Sequence, residues 1–303
     1  MIIAALAAAL TVPGPGEALN GPWLSWSLTI VAFILQGLNI DIQSILRGGK
    51  VLRLFVWGFL VAYLLAPALA SACGAAFRMK DDDLVGLLLI CCMTPTIASG
   101  VIISGRAGAD RTTAIVLTVA LVFTGLLVIP LGLNIVFARS TAIDGANLTR
   151  QLLLTVLVPM VLGQAIRLAV PALVRRPAFQ RVNRDLPPLL IGLLVYSSLA
   201  PHADQLLHVS AARLIVLVLT AGIVHGTLLG VGYLTAKRLL AVDRQKSLAL
   251  AFVSSQKSVA MGAPIWSSLF AASFPLAILP PIVFHALQTL LDGFLATRLR
   301  RIE

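Results

Sequence analysis

Apolar runs of about 20 residues follow one another along almost the whole chain, separated by short polar or basic turns. That pattern predicts a bundle of membrane-spanning helices. A porin-type barrel would show short alternating strands instead. The first run, Met1 to Val12, is short for a span and has no basic residues ahead of it, as a signal peptide would. It reads as a short or truncated helix, ended by Pro13-Gly14-Pro15-Gly16. Further segments begin near Trp23, Leu54, Leu84, Thr112, Leu152, Pro188, Leu214, Ser247 and Leu276. The expected fold is therefore all-α and polytopic, with about ten transmembrane helices. Pro280-Pro281 predicts a kink in the last of them.

Two segments are interrupted by polar residues at mid-length. The fourth contains Thr94-Pro95-Thr96-Ile97-Ala98-Ser99-Gly100, and the ninth contains Ser254-Ser255-Gln256-Lys257-Ser258. Proline removes a backbone donor and clashes with the turn before it, so a break is expected in the fourth. Segments two to five and seven to ten share an offset of about 160 residues, which predicts two similar halves, 1–150 and 151–303. Five segments per half force an inverted repeat, and matched broken helices in such repeats point to a binding site at the membrane midplane.

Composition agrees with a membrane setting. Of 303 residues, 59% are hydrophobic and 12% charged, against roughly 25% charged in a soluble domain; mean hydropathy is +0.98. The net charge of +11 reflects short basic loops at an anionic leaflet, not a nucleic-acid surface. Most basic residues fall on the side that bears the N-terminus, including Arg47, Arg106, Arg184, Lys237 and Arg298. Arg78, Lys80, Arg139, Arg150 and Arg213 fall on the other. This bias places both termini in the cytoplasm. Lys257 is the basic residue that no loop accommodates. Cys73, Cys91 and Cys92 lie in apolar segments without zinc or disulfide spacing. His202 and His208, flanking Asp204, make a weak metal signal, and no Walker loop, HExxH or GxSxG is present.

Unwound helices expose carbonyls and amides at membrane depth, where they are tolerated only inside protein or against water. Half-helix N-termini favour anions, and freed carbonyls favour cations. Thr94, Thr96, Ser99, Ser254, Ser255, Gln256 and Ser258 add oxygens, so the paired breaks are a candidate substrate or ion site. The bland reading is that these groups only satisfy one another at two kinks. Three roles are open to Lys257: a fixed cation, a titrating group for proton coupling, or a structural partner. His285, Gln288 and Asp292 share one helical face and are expected to line the crossing, with Asp292 as a partner for Lys257. His225, beside Gly226 in mid-span, reads as a buried, hydrogen-bonded histidine before a proton relay.

The first-break motif, the Gly105-Arg106-Ala107-Gly108 loop, Ser254-Ser255-Gln256-Lys257-Ser258 and Phe284-His285-Ala286-Leu287-Gln288 together resemble the bile acid:sodium symporter superfamily, in its SBF-like branch. The resemblance implies a core domain, about 54–138 plus 209–298, with two broken helices crossing at the midplane. It implies a panel domain of about 1–45 plus 148–201. It further implies transport of an organic anion driven by sodium, with Thr94, Pro95, Thr96, Ser99, Gly100 and residues 254–258 at the site. In the bile acid branch the first break carries Ser-Asn, matched here by Ser99-Gly100. A shared glutamate of that branch aligns with Phe252, an asparagine with Lys257, and a glutamine with Gln256. Thr113 and Thr118 match sodium-site hydroxyls more loosely.

The leading expectation is a secondary transporter of a small organic anion, coupled to sodium or protons, in a bacterial inner membrane. It takes no cofactor beyond sodium as the coupling ion. The runner-up is a non-transporting membrane regulator or sensor of ion homeostasis on the same fold. An intramembrane enzyme is disfavoured, because no carboxylate dyad or metal cluster appears at membrane depth.

Overall fold

The computed structural model describes residues 2–39, 51–79, 81–96, 99–137, 146, 150–151, 153–174 and 176–300. The turn with Asp41, Arg47 and Lys50, most of the loop from Arg139 to Arg150, and Ile97-Ala98 of the first break lie outside them, as do Lys80, Arg175 and Arg301. Among the described residues there are helices and no strands.

The helices are α1 (Ile2–Thr11), α2 (Pro13–Leu19), α3 (Pro22–Asn39), α4 (Leu52–Ala76), α5 (Asp81–Cys92), α6 (Ser99–Arg106), α7 (Arg111–Phe137) and α8 (Leu153–Ala169). They continue with α9 (Pro177–Leu199), α10 (Ala211–Leu239), α11 (Arg244–Ser255), α12 (Val259–Ile265) and α13 (Leu279–Arg300). Four helices are long and apolar enough to cross a membrane, or up to six if two bent pairs each count as one span. The elements holding the two breaks are not among them, because each half-helix alone is too short. Side chains facing outward are apolar: Trp23 is 87% exposed, Ile135 75% and Leu290 72%. On α13 the same turns that expose Leu290 and Phe294 bury Gln288 and Asp292. A helix that shows lipid its leucines and hides its carboxylate is built for the inside of a membrane. The protein is an integral membrane protein.

Prolines and caps explain most helix ends. The Pro13-Gly14-Pro15-Gly16 run does not stay a loop: Pro13 sits in the first turn of α2, where its missing N–H costs nothing. The same reason places Pro280 and Pro281 in the first turn of α13, so they start that helix instead of kinking it. Pro177 likewise opens α9 well before the apolar run at Pro188, putting Arg181 and Arg184 on the helix instead of in a loop. Pro130 lies inside α7, which bends by 55° between Gly125 and Leu127, one turn before it. Asp110, Ser210 and Asp243 cap α7, α10 and α11 by accepting from the amides of Thr113, Arg213 and Lys246.

Two groups of helices pack chiefly among themselves. α1, α2, α3, α8 and α9 form one; α4, α5, α6, α7, α10, α11 and α13 form the other. α12 and the π turn Trp266–Phe270 after it touch both. In the first group α3 and α8 meet through Gly37 and Gly163. A Cβ on Gly163 would lie 2.2 Å from the Ile34 carbonyl oxygen, and one on Gly37 would lie 2.3 Å from that of Met160. Small residues permit this backbone approach. The carbonyls at the C-terminal end of α3 are satisfied across the same contact, Gly37 by Gln164 and Leu38 by Arg167 at 2.8 Å. Gly163→Val should therefore lower stability by about 1–3 kcal/mol, read as a fall in melting temperature of the detergent-purified protein.

Candidate functional site

The two breaks meet. α5 stops at Cys92, Met93 to Thr96 are without helical structure, and α6 begins at Ser99. Pro95 cannot donate to the turn before it, and the side chain of Thr96 takes over one backbone partner by accepting from Gly100 N at 3.1 Å. α11 stops at Ser255, Gln256 is extended, and α12 begins after Ser258. One backbone hydrogen bond joins the breaks directly, Ser258 N to Thr94 O at 2.9 Å.

Gln256 is the hub. Its Oε1 accepts from the Thr96 hydroxyl and stands 3.5 Å from that of Ser99. Gly100 leaves room for this: a Cβ there would come within 3.1 Å of Gln256 Oε1. On the other side Gln256 Nε2 donates to Asp292 Oδ2 at 2.7 Å. Asp292 Oδ1 faces His225 Nε2 at 2.8 Å, and His225 Nδ1 faces the Ser255 carbonyl at 3.3 Å. Both ring nitrogens thus point at oxygens.

Gln288 holds the second break open. It accepts from Lys257 N at 2.9 Å and donates to Lys257 O at 2.8 Å, doing for that residue what a neighbouring strand would do. His285 in turn contacts Gln288 Nε2 through its Nδ1 at 3.0 Å. The α13 stripe of His285, Gln288 and Asp292 therefore lies against the second break.

Lys257 is wholly buried. The expected pair with Asp292 is not formed. The lysine side chain runs to the opposite side, where Nζ donates to Ala62 O and to Met93 O, the latter at 3.3 Å, and lies 5.6 Å from the centre of the Tyr63 ring. Asp292 is already committed to His225 and Gln256. No described carboxylate comes within ion-pair reach of Lys257.

Other expected residues fall differently. Ser254 and Ser255 donate back to Leu250 O and Phe252 O within their own helix, not across the crossing. Thr113 sits in the capped first turn of α7, outside the hydrogen bonds of the crossing. Thr94 and Thr118 are buried with hydroxyl oxygens that have no hydrogen-bond partner. Phe252 packs among Ile103, Ala107, Leu248 and Ala296. No group of His, Cys, Asp or Glu among the described residues could hold a metal ion. A surface cavity lined by Asp81, Asp82, Asp83 and Arg213 lies at the far end of α5 and is not part of this site. His225 is buried and hydrogen-bonded, as expected. Tyr63 and the Ala62 carbonyl are the participants that sequence reasoning left out, although a tyrosine in the middle of an apolar run leaves a trace of one of them.

Facing broken helices inside an apolar helical membrane protein define the class: a carrier of small solutes. Comparison with known proteins gives the family. The chain belongs to the SBF-like CPA transporter family, which it matches over residues 1–301. It is similar to sodium/bile acid cotransporter 7 of Danio rerio, with 25% identity over 88% of this chain and 80% of that one. The mouse protein of the same name (Mus musculus) is 24% identical over 99% of this chain and 91% of its own. A third relative is named probable sodium/metabolite cotransporter BASS4, chloroplastic, of Arabidopsis thaliana, with 24% identity over 87% of this chain. This chain spans 63% of that relative's length.

Removing Asp292 strands His225 and Gln256 in a buried site. Asp292→Ala should cost about 3–5 kcal/mol and Asp292→Asn less, measured by thermal unfolding in detergent.

Proposed function

We propose that this protein is a secondary active transporter of a small organic anion, working by alternating access across a bacterial inner membrane with both termini in the cytoplasm. The observation that carries the reading is the wholly buried Lys257, with no described carboxylate in ion-pair reach, where the two broken helices face each other. A positive charge in a low-dielectric site attracts an anion far more strongly than one in water. The names of the relatives, which speak of sodium, bile acid and metabolite, support a cation-coupled carrier of organic anions, with sodium or protons as the coupling ion.

On this reading the chain is two inverted repeats, 1–150 and 151–303, with ten membrane segments. The core, about 54–138 plus 209–298, moves against the panel, about 1–45 plus 148–201. The contact between them is weakly tied. Gln36 Nε2 donates to Ala260 O at 3.2 Å, Ser198 and Ser267 share a hydrogen bond of 2.7 Å, and Thr29 and Ser268 stand 3.4 Å apart. Interhelical hydrogen bonds in membranes average only about 0.6 kcal/mol, so such a seam can part and re-form. The sites for anion and coupling ion are assigned to Thr94, Pro95, Thr96, Ser99, Gly100 and residues 254–258, supported by His285, Gln288 and Asp292.

Reconstituted into proteoliposomes, the wild type should take up at least one of a bile acid, a monocarboxylate and a dicarboxylate, in saturable fashion and driven by a sodium or proton gradient. Lys257→Met, which keeps bulk and removes charge, should lower that uptake at least about tenfold, equivalent to 1.4 kcal/mol or more. Undiminished uptake by a folded Lys257→Met protein would sink the reading.

A further inference from the structure

The anion-carrier reading uses Lys257 only as a charge, but its surroundings say more. Its Nζ touches two backbone carbonyls and faces an aromatic ring. These are neutral dipoles and a π surface, the kind of groups that hold a small cation. A salt-bridged lysine would be found against a carboxylate, and none is in reach among the described residues.

Each group around Nζ is placed by its own element. Ala62 belongs to the π-helical stretch Leu60–Leu65, where the hydrogen-bond ladder shifts register. Met93 is the first residue past the end of α5, and its carbonyl faces the lysine instead of a helix partner. Tyr63 is fixed by its hydroxyl, which donates to Leu121 O at 2.6 Å. Thr94, next to Met93, packs its methyl group beside the Tyr63 hydroxyl at Gly125. Two carbonyl oxygens and a ring from α4 and the first break thus surround one position. Lys257 reaches it from the second break, with its own backbone clamped by Gln288.

Resting on the anion-carrier reading, we propose that Lys257 is a built-in cation. Its ammonium fills a monovalent-cation site formed by Ala62 O, Met93 O and the Tyr63 ring, so the crossing holds its positive charge without binding sodium there. Shortening the side chain empties the site for sodium.

The test is thermal unfolding of the detergent-purified full chain at about 150 mM salt, comparing sodium chloride with choline chloride. The wild type should melt at the same temperature in both. Lys257→Ala should be stabilised by sodium in a saturable way, by about 2 °C or more. Lys257→Met, which fills the space with apolar atoms, should not respond. Saturable stabilisation of the wild type by sodium overturns the proposal, as does a Lys257→Ala protein that ignores sodium. If Lys257→Ala is recovered only when sodium is present throughout purification, the proposal is supported. If neither it nor Lys257→Ser folds even in sodium, sodium cannot replace the ammonium and the proposal fails. Uptake is read separately. A sodium-stabilised wild type that still carries anions overturns the built-in cation alone. A sodium-indifferent wild type that carries none of the anions overturns the carrier reading alone.

Discussion

An ammonium group inside an apolar protein must be surrounded by oxygen dipoles or it will not stay there. Much of the second helix group is arranged to meet that demand for Lys257. α4 shifts into π register beside it, α5 ends where Met93 can turn its carbonyl inward, and Tyr63 is pinned to α7 so that its ring lies across the nitrogen. The broken segments are the consequence: a continuous α-helix has no carbonyls to spare.

The same demand shapes the opposite side of the crossing. Asp292 is as deeply buried as Lys257, yet the two do not pair. Asp292 is held by His225 and bridged through Gln256 to Thr96 in the first break. Gln256 therefore locks the two breaks together, and its carboxylate partner is turned away from Lys257.

Relatives of the SBF-like CPA transporter family bear names that mention sodium. In this chain several oxygens of the crossing already have partners. Gln256 Oε1 serves Thr96, the carbonyl of Lys257 serves Gln288, and that of Thr94 serves Ser258. Phe252 lies in an apolar cluster where the resemblance would put a carboxylate.

Length and spacing of apolar runs determined the membrane setting, the helical class and the position of both breaks, because the bilayer imposes its thickness on any spanning segment. Pro95 and the run from Ser254 to Ser258 could be read locally for the same reason: they disturb a ladder whose partners are only four residues away. Helix starts were less legible, since Pro13, Pro177 and Pro280 can either open a helix or end one, and neighbours decide which. The direction of the Lys257 side chain was beyond sequence altogether. Asp292, one helical face from Gln288, looked a natural partner for Lys257. Partners 36 to 195 residues away in the chain decided otherwise. The sequence by itself determined that a charge would be buried at a broken helix. Only the tertiary structure decided what faces it, because which carbonyls and which carboxylate come within 3 Å depends on how the separate helices are packed.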